Sequence, residues 1–163
     1  RYEGYGPYGT AFIIEALTDN KNRTATEIRT IFSRNGGNLG ETGSVSYNFD
    51  KVGEVVIKAS LNDEMIEELI EVGVEDYVLD EGETYLYCKL EDLFTVEKFV
   101  QDKKLEVEGA KLIWKPNMNV EITSREDLEK LLKLSDDLED NDDVQNCFSN
   151  LDFDSKLIGE SDA

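Results

Sequence analysis

Between Lys21 and Gly40 the chain carries four basic side chains, Lys21, Arg23, Arg29 and Arg34, against the single carboxylate of Glu27. Cations grouped in this way can hold phosphate oxygens, which position a protein on nucleic acid without reading its sequence. They could equally be an ordinary solvated helix face, with Arg23 bonded to the glycine-rich stretch that follows. That stretch, Gly36-Gly37-Asn38-Leu39-Gly40-Glu41-Thr42-Gly43-Ser44, invites a phosphate-loop reading, because glycine lets backbone N–H groups crowd an anion. It lacks the GK[ST] lysine and the GxGxxG spacing, however, and it leads from a helix into a strand. A rigid turn is the better reading. Upstream, Gly4-Tyr5-Gly6-Pro7-Tyr8 combines aromatic rings with a turn. The rings could stack on bases or serve as an interdomain staple.

Catalytic chemistry finds little to work with. The chain has no histidine, so the commonest general base and transition-metal ligand is missing. Among the carboxylates, Asp140, Asp142 and Asp143 stand close together, but they lack the central glycine and terminal glutamate of an EF-hand loop. They read as a solvated helix end. Asn22-Arg23-Thr24 matches a glycosylation sequon, but nothing accompanies it to point to secretion. Cys88 and Cys147 each lie in an apolar stretch and read as buried free thiols of a reducing compartment. No catalytic residue, metal or cofactor is expected, and the chain does not read as an enzyme.

The elements that must position these groups follow from periodicity. Thr10–Thr18 is a continuous apolar run and reads as a buried strand. Thr24-Ala-Thr-Glu27 is a capping box opening a helix with Ile28, Ile31 and Phe32 on one face, stopped by Asn35-Gly36-Gly37. Ser44–Asp50 alternates Val45, Tyr47 and Phe49 and reads as a half-buried strand. A second series follows: strand Glu54–Ala59, helix Asn62–Val72 with Met65, Ile66, Leu69 and Ile70 inward, strands Asp76–Leu79 and Thr84–Lys89 around a turn, a helix bearing Leu93, Val96, Phe99 and Val100, and strand Glu108–Lys115. That order is β-α-β-β-α-β, a ferredoxin-like unit. Strand Val120–Thr123, a helix capped by Ser124 with Leu128, Leu131, Leu132 and Leu138 inward, and strand Gln145–Asn150 supply what the first segment left open. The expected fold is therefore α+β, with two ferredoxin-like βαββαβ domains, the second inserted into the first. The first domain spans 1–52 plus 117–151, the inserted one 53–116, and 152–163 form a flexible tail.

Charge divides the chain as well. Residues 1–50 carry 5 basic and 6 acidic side chains, the remainder 12 and 31. A surface this acidic repels polyanions, so most of the chain is not expected to coat nucleic acid. No apolar run is long enough to cross a membrane, and no secretion leader opens the sequence. The chain starts at Arg1 rather than Met, so a preceding segment is expected to carry part of the function.

The segment Tyr2–Phe49 resembles the YebC-type family. The resemblance rests on Tyr2-Glu3-Gly4-Tyr5-Gly6-Pro7, Glu15-Ala16-Leu17-Thr18-Asp19-Asn20, Asn22-Arg23-Thr24 and Gly36-Gly37-Asn38-Leu39-Gly40-Glu41-Thr42-Gly43-Ser44-Val45-Ser46-Tyr47, and continues more loosely through Leu138-Glu139-Asp140 and Asp142-Asp143-Val144-Gln145-Asn146. It implies a regulator of gene expression, either a DNA-binding transcriptional regulator or a translational activator bound to ribosome or messenger RNA. It also implies two α+β domains preceded by a basic helical domain that is absent here and would make most of the contact with DNA or with ribosome and RNA. Tyr5, Gly6, Pro7, Asn20, Asn22, Thr24, Gly36, Gly37, Asn38, Gly40 and Gly43 are the signature positions. Tyr8 replaces a glycine of the family's Gly-Pro-Gly-Gly, and Asn35 replaces a frequent histidine. The expected location is the cytoplasm, or the mitochondrial matrix in a eukaryote, with no membrane contact.

Overall fold

The computed structural model describes residues 1–154 and 156–159. In chain order the elements are β1 (Tyr2–Tyr5), β2 (Ala11–Ala16), α1 (Lys21–Arg34), β3 (Asn38–Gly40), β4 (Phe49–Ile57), α2 (Asp63–Val72), β5 (Val74–Asp80), β6 (Glu83–Cys88), α3 (Leu93–Asp102), β7 (Val107–Pro116), β8 (Val120–Ile122), α4 (Arg125–Glu139), β9 (Val144–Ser149), β10 (Leu151–Phe153) and α5 (Lys156–Gly159). They form two α+β units. One joins Arg1–Asp50 to the residues from Lys115 onward, and the other is Lys51–Trp114.

The inserted unit has strand order β5-β6-β4-β7, with β6 antiparallel to both β4 and β5. Its first and third strands are thus central, the ferredoxin-like arrangement. Period-2 patterning sets the faces: Thr84, Leu86 and Cys88 of β6 are buried, while Tyr85 and Tyr87 are only partly covered. Val55, Ile57, Leu86 and Cys88 meet Ile66 and Leu69 of α2 and Val96 and Val100 of α3 in one core. Asn62 caps α2, its Oδ1 accepting the Met65 N–H at 2.9 Å. Ile70, expected inward, is 53% exposed; it follows Leu69 by one residue and so lies about 100° round the helix from it.

In the first unit the sheet order is β3-β1-β2-β9, antiparallel throughout. Here β1 occupies the slot that the third strand holds in the inserted unit, although it comes first in the chain. The expected strand at Ser44–Asp50 is instead a loop with a short 3-10 turn at Ser46–Asn48, and pairing resumes only at Phe49. Val45 is nevertheless buried and Tyr47 is 76% exposed, so the alternation there marks loop anchoring. Val120–Ile122 does not join the main sheet. It pairs in parallel with β10, and Leu151 and Phe153 pack on the core. Asp152 and Phe153 of the expected tail are therefore sheet residues, and its residues 155 and 160–163 lie outside the described ones. Leu17 and Thr18 fall outside β2. One face of the sheet presents Phe12 and Ile14 to α1 and α4, where Ile28, Phe32, Leu128, Leu131, Leu134 and Leu138 close the core. Ile13 is also fully buried on the opposite face, which is why the run at 11–14 is apolar without alternation.

Candidate functional site

The four cations of the sequence all lie on α1, with Arg23 paired to carboxylates and Arg34 at the far end of the helix. Helix α1 begins at Lys21, three residues before the expected capping box, because Asn20 is the cap: its Oδ1 accepts the Arg23 N–H at 3.1 Å. Thr24 is buried and its hydroxyl lies 2.7 Å from Thr18 Oγ1 and 2.8 Å from Asp143 Oδ2. Arg23 is held by Asp143 at 3.1 Å, Asp19 at 3.3 Å and Glu27 at 3.9 Å, not by the glycine loop. The bond to Thr24, with Arg23 second, keeps the Asp143 carboxyl below the usual range. This end of α1, with Asp140, Asn141 and Asp142, is an acidic rim. Lys21, Asn22 and Arg29 are exposed on the same helix. Among the described residues no group of three or more His, Cys, Asp or Glu is placed to hold a metal ion.

The glycine-rich loop already contains an anion. Gly43, Val45 and Ser46 donate their N–H groups to the Glu3 carboxylate at 2.8, 3.2 and 2.7 Å, and Arg1 Nε donates at 3.3 Å. The Glu3 side chain is fully buried. Burial pushes its pKa up, but the bonds from Gly43, Ser46 and Val45 together outweigh burial and hold the carboxyl below its ordinary value. The N–H groups a phosphate would need are therefore occupied, which makes the stretch a turn. Tyr5 belongs to the same arrangement: its hydroxyl donates to the Ser44 carbonyl at 2.9 Å. Asn38 and Gly40 lie on β3, paired with Tyr5 and Glu3.

What the structure does assemble is a cleft of about 430 Å³ at the other end of α1, lined by Pro7, Tyr8, Arg34, Asn35, Gly36, Lys130 and Lys133. It exists because two backbones meet closely. A Cβ on Gly37 would collide with the Tyr5 carbonyl and come within 3.1 Å of Gly6 Cα, and one on Gly6 would stand 2.6 Å from Thr10 Oγ1 and 2.7 Å from Phe12. The turn so fixed holds Tyr8 at φ 64°, ψ 26° with 43% of its surface exposed. The Tyr8 hydroxyl is raised by its hydrogen bond to Asp127, while Lys130 acts the other way. Asn35 donates to Asp137 at 3.1 Å and to the Ile31 carbonyl at 2.8 Å, and Lys133 reaches Asp137 at 2.7 Å. The Lys133 bond, then the Asn35 bond, lower the Asp137 carboxyl. An aromatic plate beside three cations, in a strongly acidic chain, can stack a planar group and hold its anion. Of the residues singled out in the sequence, Pro7, Arg34 and Gly36 converge here. Tyr8 and Asn35, marked in the sequence as an aromatic turn residue and a departure from the family pattern, join them, whereas Lys130 and Lys133 were not singled out. The spacing of Lys130 and Lys133 on one face of α4 was visible, but not that this face meets α1.

Residues 1–151 match the family described as the TACO1/YebC second and third domain. The chain is 46% identical over 163 residues to a protein of Trichormus variabilis named "Probable transcriptional regulatory protein", covering 99% of this chain and 65% of that relative. Its structure is similar to the crystal structure of a conserved hypothetical protein from Aquifex aeolicus, with a TM-score of 0.84 and 39% identity over 94% of this chain and 64% of the other. The chain thus spans just under two thirds of the length of each.

Proposed function

The chain belongs to the TACO1/YebC family through its second and third domains, and from that premise we propose that it regulates gene expression by binding rather than by catalysis. The observation that carries the reading to particular residues is the cleft where Tyr8 stands among Arg34, Lys130 and Lys133. The name of the Trichormus relative favours transcription, and a transcriptional role would make DNA the partner. In that reading the cleft adds phosphate contacts to those made elsewhere in the protein, in the cytoplasm.

A second reading, translational activation through ribosome or messenger RNA, is favoured by the shape and charge of the site. One ring and three cations suit one unpaired nucleotide better than a duplex. The chain as a whole, at net −20, repels a long phosphate ladder. Gel shift of the intact protein on duplex DNA at physiological salt, beside co-sedimentation with ribosomes, separates the two. A shift without co-sedimentation supports transcription, and the reverse supports translation. Arg34→Glu with Lys130→Glu should weaken whichever binding is found; unchanged binding would remove the cleft from the account.

A further inference from the structure

Strand β5 ends the sheet of the inserted unit, and among the described residues only its β6 side is paired. Every residue from Glu75 to Asp80 is exposed. Tyr77, Val78 and Leu79 are 40%, 46% and 52% exposed, and Ile70, on the helix that leads into β5, is 53% exposed. An open edge bearing apolar side chains accepts another strand unless charge forbids it. Its charge is one-sided: residues 59–88 contain ten Asp and Glu and no Lys or Arg. A second copy of this chain would bring the same charges to the edge and be repelled. A cationic strand would be drawn in.

We propose that β5 is a docking edge for an extended segment of another protein in which Lys or Arg alternates with apolar residues. The period-2 geometry of the strand specifies this pattern. Asp76, Val78 and Asp80 stand opposite Tyr87, Tyr85 and Glu83 of β6, whereas Tyr77 and Leu79 stand opposite Leu86 and Thr84. One face of β5 is thus acidic around Val78, and it continues into Glu83, whose carboxyl is raised chiefly by sharing a hydrogen bond with Glu108. The other face is apolar and adjoins the helix side of the sheet. An added strand would turn its cations to the first face and its apolar side chains to the second. The site is independent of the Tyr8 cleft and takes protein, not nucleic acid.

The test uses the whole chain and three short peptides: alternating lysine and valine, the same composition in two blocks, and alternating glutamate and valine. Amide hydrogen exchange across Glu75–Asp80 is read by mass spectrometry, and affinity by fluorescence anisotropy. The alternating lysine peptide should slow exchange there, bind several-fold more tightly than the block peptide, and lose affinity with added salt. Tyr77→Ser with Leu79→Ser, both exposed and so tolerated by the fold, should abolish the advantage of alternation. Asp80→Lys with Glu83→Lys should transfer the preference to the glutamate peptide. Equal binding of alternating and block peptides, protection only outside 75–80, or self-association through β5 without peptide would each overturn the proposal.

Discussion

At the residue scale the most consequential group is Glu3, a fully buried carboxylate whose partners are the N–H groups of Gly43, Val45 and Ser46 and the guanidinium of Arg1. A hydrogen bond to a charged group contributes about 1.5–3 kcal/mol, and the removal of one buried partner leaves the others unsatisfied. Glu3→Gln retains the shape, loses the charge and puts an NH2 against donors; it should cost about 2 kcal/mol in urea unfolding. The sign of the pH dependence follows from the depressed pKa. The unfolded carboxyl titrates near its reference of about 4.3, so the stabilisation is complete above that pH and is lost as pH falls through the lower folded value. The difference in stability between Glu3→Gln and the parent should therefore be constant between neutral pH and about pH 5 and shrink on further acidification. A difference that instead grew on acidification would contradict the depressed pKa. The two thiols make a milder case. Burial raises Cys88 to about 11 and Cys147 to about 12. Both remain protonated at neutral pH, and alkylation by iodoacetamide should be slow until the protein unfolds.

At the scale of elements, the inserted unit was legible because its signals are local. The 62–72 and 93–100 stripes, the alternation in β6 and the turn at Asp80–Glu83 lie within a few residues of what they specify. The turn is a two-residue hairpin loop with Glu81 at φ 45° and Gly82 at φ 84°, the twist that suits paired antiparallel strands. A side chain at Gly82 would meet open space, so Gly82→Ala should cost about 1 kcal/mol purely from backbone conformation. Glu81→Asn should gain roughly half of that, since asparagine tolerates left-handed geometry better. Paired thermal melts would check both, and a neutral Gly82→Ala would mean the loop relaxes. The first unit was less legible because its decisive partners are distant. Tyr2–Tyr5 carries no strand pattern of its own, and it becomes the centre of a sheet only through pairing with β2 and β3. The alternation of Val45, Tyr47 and Phe49 reads as one strand face, but only Val45 and Phe49 are buried, on either side of a loop turn whose neighbouring N–H groups hold Glu3. The cleft followed the same rule: Arg34 comes from the last turn of α1, Gly36 from the turn after it, and Lys130 and Lys133 from α4, and no spacing within either helix announces their meeting.

At the scale of the whole molecule the balance of charge decides the response to salt. The chain carries 37 acidic against 17 basic side chains, and the inserted unit has no arginine and seven lysines against 17 carboxylates. Two effects oppose each other when ions are added. Exposed pairs such as Lys98–Asp102, Arg125–Glu129 and Lys133–Asp137 are weakened, but exposed pairs of this i,i+4 kind contribute only about 0.3–0.5 kcal/mol each. Repulsion among the unmatched carboxylates is screened at the same time, and it acts over the whole surface. The Debye length falls from about 30 Å at 0.01 M salt to about 10 Å at 0.1 M, from spanning a small domain to well inside one. Repulsion therefore loses more than the pairs do, and the melting temperature should rise steadily as sodium chloride is added over that range. Neutralising Glu67 and Glu71 on the exposed face of α2 to glutamine should raise it at low salt and make less difference at high salt, because the substitution removes the repulsion that the ions would have screened. A melting temperature that fell with salt would show that the few ion pairs outweigh the excess of twenty negative charges.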